Sequence, residues 1–203
     1  MTKVRNREDF DFTGSVPLRS ARNRREDITV ATDAAVDFGI YRAASGFLAD
    51  CGYYGLAGHP QPPGIVGSEA VAVAELRASW RAVSTLARYE RTKVVILTDS
   101  ANALDYLQAW KSGEDVFPAG YQLYRQSGRP SSLRLLAEQL RYDGGQYAFA
   151  KVAAHAGHAL NEAADSLARL ALRAGGRRGL TAEQAQSAAA TIASARLADW
   201  KAR

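Results

Sequence analysis

Lys93-Val-Val-Ile-Leu-Thr-Asp-Ser100 reads as a β-strand that ends on an acid, followed by a helix from about Ser100 to Trp110. Working back towards the N-terminus, residues from about Glu69 to Tyr89 have helical spacing. Leu76, Trp80, Val83 and Ala87 step by 4, 3 and 4, which makes one apolar stripe. Ahead of that helix, His59-Pro-Gln-Pro-Pro-Gly64 reads as a rigid loop, because three prolines suit neither helix nor ladder. Gly46-Phe-Leu48 and Tyr53-Tyr-Gly-Leu-Ala57 look like two strands joined through Asp50-Cys-Gly52, and Ile28-Thr-Val-Ala-Thr-Asp33 is another strand ending on an acid. Towards the C-terminus, Gly113, Pro118 and Gly120 punctuate a loop. Pro130-Ser-Ser then opens a helix with Leu133, Leu136 and Leu140 on one face. Gly144-Gly145 closes it, Gln146–Val152 is a strand, and residues 159–173 form a helix with Leu160, Ala164, Leu167 and Ala171 as its stripe. Strands interleaved with helices in this order predict an α/β domain with a mixed sheet.

The 203 residues suit one well-cored domain with short extensions. Residues 1–27 show no apolar period and read as a flexible basic extension; 28–173 form the folded domain; 174–203 are a linker and a C-terminal helix. Thr181-Ala-Glu-Gln184 has the spacing of a capping box, so that helix should begin there. The chain is basic by five charges, and the surplus sits in the tails. Residues 1–27 hold seven Lys/Arg against five Asp/Glu and 173–203 hold six against two, while 28–172 hold thirteen against fourteen. Basic tails add a sequence-independent attraction to nucleic-acid phosphates, although a solvated charge for solubility reads as well. A single cysteine, Cys51, rules out an intramolecular disulfide, and the charged N-terminus lacks a signal-peptide core. Both lead to the expectation of a cytoplasmic protein; the longest apolar stretches, such as Val94 to Leu97, are strand-sized, so no membrane span is expected, and no obligatory protein partner is evident.

Asp33 and Asp99 end apolar strands, the edge where open α/β sheets bind ligands. Glu75 lies beside the helical stripe at Leu76, and Asp165 follows Ala164 early in the last core helix. Each has an ordinary alternative: a turn or cap for the strand-end aspartates, a solvated helix residue for Glu75, a dipole complement for Asp165. Together, four carboxylates near apolar surfaces repel one another and need compensation, which divalent cations supply.

Three motifs then resemble type 1 ribonuclease H. Thr98-Asp-Ser100 after an apolar strand resembles its Thr-Asp-Ser signature, and Ala74-Glu-Leu76 in a helix resembles its second acidic motif. Lys151-Val-Ala-Ala-His-Ala-Gly-His-Ala-Leu-Asn-Glu-Ala-Ala-Asp-Ser-Leu-Ala168 resembles its C-terminal block, the longest and most specific of the three. The resemblance covers about residues 28–172. It implies a ribonuclease H-like five-stranded mixed sheet flanked by helices, and an endonuclease that cuts the RNA strand of RNA–DNA hybrids, leaving 3′-hydroxyls and 5′-phosphomonoesters. It also implies two Mg2+ ions, with Mn2+ able to substitute, held by Asp33, Glu75, Asp99 and Asp165. His155 matches a loop histidine that assists proton transfer or product release. Ser100, Trp110 and Asn161 would stand on the substrate side, Trp110 matching an aromatic used against the DNA strand. A buried core tryptophan fits Trp110 equally, and His158 and Asn161 also suit bracing the loop and capping the helix.

The substrate-reading shell departs from that pattern. Where many members carry asparagines before the helical glutamate, Val71 and Ala72 stand here, and Ala101 stands where a glutamine often follows the signature. The basic protrusion after Trp110 is replaced by Lys111-Ser-Gly-Glu-Asp115. Two further expectations therefore stay open: a related nuclease acting on another duplex, and a catalytically weak nucleic-acid-binding module of the same fold. A Walker-type phosphate loop is absent from the sequence.

Overall fold

Two faces of one twisted sheet are covered by helices, and the apolar stripes of the sequence decide which helix covers which face. The computed structural model describes residues 10–17, 27–87, 93–154, 156–174 and 179–202. The elements run β1 (Asp11–Ser15), β2 (Ile28–Asp37), β3 (Arg42–Ala49), β4 (Tyr53–Pro60), α1 (Gly67–Leu86), β5 (Val94–Thr98), α2 (Ala101–Lys111), α3 (Ser132–Tyr142), β6 (Tyr147–Lys151), α4 (Ala159–Ala174) and α5 (Ala182–Lys201), with a short 3-10 turn at Gly144–Gln146 before β6. The sheet order is β1-β4-β3-β2-β5-β6. β1, β4, β3 and β2 pair antiparallel, whereas β2–β5 and β5–β6 are parallel.

On one face, Val73, Leu76 and Val83 of α1 pack with Leu107 and Trp110 of α2 and Leu133, Leu136 and Leu140 of α3 against Ile28, Val30, Phe47 and Ile96. On the other, Leu160, Ala164, Leu167 and Ala171 of α4 cover Ala31, Ala44, Leu48 and Leu56. The alternation of Ala31 with Val30 across the two clusters is the period-2 signature of a strand buried on both sides.

The mixed sheet has six strands rather than the five expected. The extra one, β1, lies in the segment whose composition predicts a flexible extension, and it pairs with β4 from Asp11↔Ala57 to Ser15↔Tyr53. Phe10, Phe12 and Val16 fall on alternate positions and pack against the α4-side core. Two aromatic residues two apart are too short a pattern to stand out in a charged segment. Two boundaries also differ: β2 continues four residues past Asp33, and β4 takes in His59 and Pro60, the start of the proline-rich stretch expected to be a loop.

The C-terminal helix α5 starts at a capping box. The Thr181 hydroxyl accepts from Gln184 N–H at 3.2 Å, and the Gln184 side chain accepts from Thr181 N–H at 2.9 Å. Ala185, Ala189, Ala193 and Leu197 recur every four residues and are buried, so α5 lies on α4 as an outer layer of the core. Trp200 near its end lies 5.2 Å from the His158 ring, centroid to centroid. The linker residues 175–178 lie outside the described residues. Among the described residues, no helix is long and apolar enough to cross a membrane.

Candidate active site

The acids converge because one strand is longer than its neighbour. β2 pairs with β3 through to its C-terminal end, Val30↔Ala49 to Asp37↔Arg42, but with β5 only from Ile28↔Val94 to Ala31↔Leu97. Beyond Ala31 the β5 side of β2 is open, and Asp33 stands there in mid-strand rather than at a strand end. Asp99 follows the last residue of β5, two positions after Leu97, so the two carboxylates meet where the parallel pair stops. Side chains fix the turn around Asp99: Thr98 Oγ1 accepts from Ser100 N–H at 3.2 Å, and Ser100 Oγ accepts from Ala103 N–H at 3.2 Å as the N-cap of α2. The Thr-Asp-Ser triplet is thus an acid held between two hydroxyl caps.

Glu75 reaches the same point from α1. Ser79, one turn further on, donates to the Glu75 carbonyl at 3.2 Å and meets Thr32 Oγ1 at 3.4 Å, which ties α1 to β2 beside Asp33. Asp33, Glu75 and Asp99 each offer a carboxylate oxygen within 4.8 Å of the others. Asp33 and Glu75 are buried, at 7% and 4% exposure, and Asp99 is half-buried.

Burial, and then the Asp99 charge, pushes the Asp33 carboxyl up to about 7, opposed by a backbone hydrogen bond from Ala34 N–H at 2.7 Å and, more weakly, by a side-chain hydrogen bond with Glu75. Burial and then Asp33 and Asp99 push Glu75 up as well. Glu75 Oε2 is buried with no hydrogen-bond partner among the described residues. Buried acids that face one another and lack donors are costly unless a cation joins them. Three hard oxygen donors at this spacing fit a divalent cation such as Mg2+.

Asp165 stands nearby without joining the three. Its charge also raises Asp33, but its Oδ1 is taken by Arg169 Nε at 2.7 Å, one turn along α4. What brings α4 so close is Gly46, the β3 residue paired with Asp33. A Cβ at position 46 would run into the Ala164 carbonyl and lie 2.6 Å from Ala168 N. Gly46 and Arg169 are the positioning residues that sequence reasoning missed. The i,i+4 spacing of Asp165 and Arg169 is a usable signal, whereas the close approach at Gly46 exists only once α4 is packed on the sheet.

The other expected site residues divide. Ser100 is half-exposed and serves as the α2 cap. Trp110 is a correction: it is fully buried, with its indole N–H donating to the Val116 carbonyl at 2.6 Å and its ring against Tyr106 and Phe117. It serves the core, because an indole enclosed by α2 and the loop after it has no surface left for a nucleic-acid strand. Asn161 is 3% exposed, its backbone N–H donates to His158 Nδ1 at 3.4 Å, and its Oδ1 is buried without a partner among the described residues. His155 lies outside the described residues. Of the two positions before Glu75, Val71 is 37% exposed and Ala72 is 1% exposed, so only Val71 is available to a ligand.

The family model for RNase H matches residues 25–173, which spans all of the sheet except β1 and every helix except α5. No curated protein matches the chain. With nearly three quarters of its length matched by that model and a buried trio of acids at the open end of β2, this chain belongs to the RNase H family.

Proposed function

We propose that the chain is a metal-dependent endoribonuclease that hydrolyses the RNA strand of RNA–DNA hybrids. The observation that carries this is the convergence of Asp33, Glu75 and Asp99 within 4.8 Å in a chain of this family. In that reaction water adds to phosphorus and the bond to the 3′ oxygen breaks, leaving a 3′-hydroxyl and a 5′-phosphate. Two Mg2+ ions, or Mn2+ in their place, would supply activation of the water and charge relief at the leaving oxygen. Asp33, Glu75 and Asp99 would hold them. Asp165 would complete the set by releasing Arg169, a surface i,i+4 pair worth only about 0.3–0.5 kcal/mol. Glu75 would also meet the ribose 2′-hydroxyl, the group that separates RNA from DNA at a nucleotide. His155 would assist proton transfer or product release, with Ser100 and Asn161 bordering the substrate side. A cytoplasmic setting agrees with the lone cysteine, Cys51.

A second reading, a nuclease of the same kind acting on another duplex, is favoured by one feature. Val71 offers no side-chain hydrogen bond, Ala72 is buried, and Ala101 adds none. A catalytically weak binding module is the third reading, and the buried acids argue against it because binding alone needs no such cluster. The deciding experiment uses end-labelled RNA–DNA, RNA–RNA and DNA–DNA duplexes of one sequence with Mg2+, Mn2+ or EDTA. The proposal expects metal-dependent cutting of the hybrid's RNA strand ahead of the other two. Preference for RNA–RNA would establish the second reading, and binding without cutting under both metals the third.

A further inference from the structure

Behind β4, on the α1 face of the sheet, lies a cavity of about 640 Å³ that contains none of the acids of the candidate active site. That volume is within the range of roughly 300–1,000 Å³ typical of small-ligand sites. β3 and β4 supply its floor: Ser45 pairs with Ala57, and His59 stands two residues further along the same face of β4. Arg77 and Arg81, one turn apart on α1, form one side, and the loop carrying Tyr121 and Arg125 forms the other.

Three lining residues carry buried polar atoms with no hydrogen-bond partner among the described residues: Ser45 Oγ, His59 Nε2 and Arg81 Nε. The tautomer of His59 follows from its neighbour. Arg77 NH1 lies 2.8 Å from His59 Nδ1, and a guanidinium can only donate, so Nδ1 accepts, its longer 3.4 Å contact with the Pro60 carbonyl carries no hydrogen bond, and the ring proton sits on Nε2. Burial, with the Arg77 charge next, pulls the His59 pKa down to about 3, which keeps the ring neutral in that form. The orphaned atoms are therefore two N–H donors and one hydroxyl, all enclosed within the wall rather than open to the cavity. Charge leans the same way. Asp11 is the one acid among the described lining residues, and it is taken by Arg81 NH1 at 2.7 Å. Arg77 has no carboxylate partner among the described residues; its guanidinium sits 6.0 Å from the Tyr121 ring centroid and also donates to the Pro60 carbonyl at 3.4 Å. Arg125 is exposed and adds a third positive charge.

A pocket lined by three arginines against one acid, with Arg77 and Arg125 lacking a carboxylate partner among the described residues, recognises an anion. Arg77 on the helix and Arg125 on the loop stand on opposite sides of the cavity, so a guest meets guanidinium groups from two sides rather than in one plane. That suits a tetrahedral oxyanion with several acceptor oxygens better than a flat carboxylate, and Arg is the residue that grips phosphate oxygens best. We propose that this cavity is an anion site for a phosphoryl group, with Arg77 as its principal charge partner and Arg125 as a secondary one. The site goes beyond the hydrolytic reading and does not depend on it, since no acid of the metal cluster takes part. The phosphoryl group could arrive as free phosphate, on a mononucleotide or on a nucleic-acid strand.

The test uses the full chain in excess EDTA, so that no cation can bridge phosphate to the acidic cluster. Inorganic phosphate, a nucleoside 5′-monophosphate and a short single-stranded oligonucleotide are each titrated by calorimetry. The proposal expects saturable phosphate binding with a Kd of about 1 mM or tighter. Arg77→Gln should weaken it roughly tenfold or more, the effect of losing a charged hydrogen bond. Arg125→Gln, at an exposed position that spares the fold, should weaken it roughly twofold to fivefold. Melting temperatures of both variants control for folding. Equal affinity for all three ligands would assign the site to free phosphate, and tighter binding of the nucleotide or the strand would assign it to that source. No saturable binding of any of the three, or binding untouched by Arg125→Gln in a folded protein, overturns the proposal.

Discussion

Helix α1 separates two regions of opposite character. Towards the open end of β2 it presents Glu75 to Asp33 and Asp99, acids that are buried against one another with too few donors. Two residues on, it presents Arg77 to His59, where donors outnumber acceptors. Many other polar side chains are matched, as Arg134 is by Asp115 and Glu138, or Gln139 by Asp143, although Arg42 Nε and NH2 and Asn161 Oδ1 are also buried without a partner among the described residues. Folding alone tends to satisfy buried polar groups, so a place where several side chains together leave charge of one sign uncompensated is a place to look for a ligand of the other sign.

The largest test of that contrast is Asp99→Asn. It keeps the size of the side chain and removes one charge, so cleavage should fall by orders of magnitude in a metal-saturated assay. In EDTA the melting temperature should rise, because the Asp99 charge is the chief electrostatic contribution holding Asp33 up to about 7. Near-wild-type turnover by this variant would falsify the assignment of the acidic cluster. Phosphate binding behind β4 should not change.

Next in size is truncation after Arg173. Removing α5 uncovers the α4 surface beneath Ala185, Ala189, Ala193 and Leu197 and should cost roughly 3 kcal/mol, most of it from Leu197. The loss should be felt at the acidic end, since α5 backs α4 and the Trp200 ring lies against His158, just before α4 in the chain. The rival idea, that the basic tail draws in the duplex, predicts a different outcome: an unchanged melting temperature and a flatter salt dependence, by about 0.9 in slope for each phosphate that the tail no longer neutralises.

Gly46→Ala should cost about 1–3 kcal/mol, as overpacking does, and lower turnover by displacing Asp165 from Asp33. Full activity with an unshifted melting temperature would mean that α4 can yield without consequence.

The main elements are legible in the sequence because their signals are local. Stripes stepping by 4 and 3 mark α1 and α4, a β-branched run marks β5, and a four-residue box marks the start of α5. The acids are legible through motif spacing. What escapes depends on packing. β1 is short and takes its face from Phe10 and Phe12 only once β4 is beside it. Trp110 has the same sequence surroundings whether it faces a nucleic acid or the core, and only the placement of Phe117 and Val116 decides. The basic cavity is invisible for a related reason: Ser45, His59, Arg77 and Arg125 come from two strands, a helix and a loop, with no spacing in common.

The acidic cluster also predicts how stability should respond to pH. The Asp33 carboxyl is raised from 3.8 to about 7 in the metal-free fold, so the folded chain holds a proton that the unfolded chain has released over that interval. Stability of the metal-free protein from this group therefore falls as pH rises from about 4 through about 7. A bound cation replaces the proton, so the gain in melting temperature on adding Mg2+ should be small near pH 5 and larger near pH 8. A gain that shrinks with rising pH would contradict the protonated state assigned to Asp33.

The smallest expected effect concerns which nucleic acid the acidic end reads. Val71 lies one helical turn before Glu75 and is exposed, so it shares the Glu75 side of α1, while Ala72 points into the core. Asn and Val have similar helix propensities, so Val71→Asn should leave the fold intact and add an amide beside the acids. An Asn at buried position 72 would instead bring an unsatisfied amide into the core. If the substrate is a hybrid lying across this end of the sheet, the new amide can meet the sugar-phosphate edge of the strand that Glu75 contacts. One added hydrogen bond is worth roughly 0.5–1.5 kcal/mol, or about twofold to tenfold in affinity. The gain should appear with RNA–DNA hybrids and be weaker with DNA–DNA duplexes of the same sequence, which lack the 2′-hydroxyl. An equal gain on both duplexes would mean that position 71 touches phosphate and carries no ribose selectivity. Absence of any gain would move ribose reading off the first turns of α1, leaving Glu75 and backbone groups near Asp99 to do it.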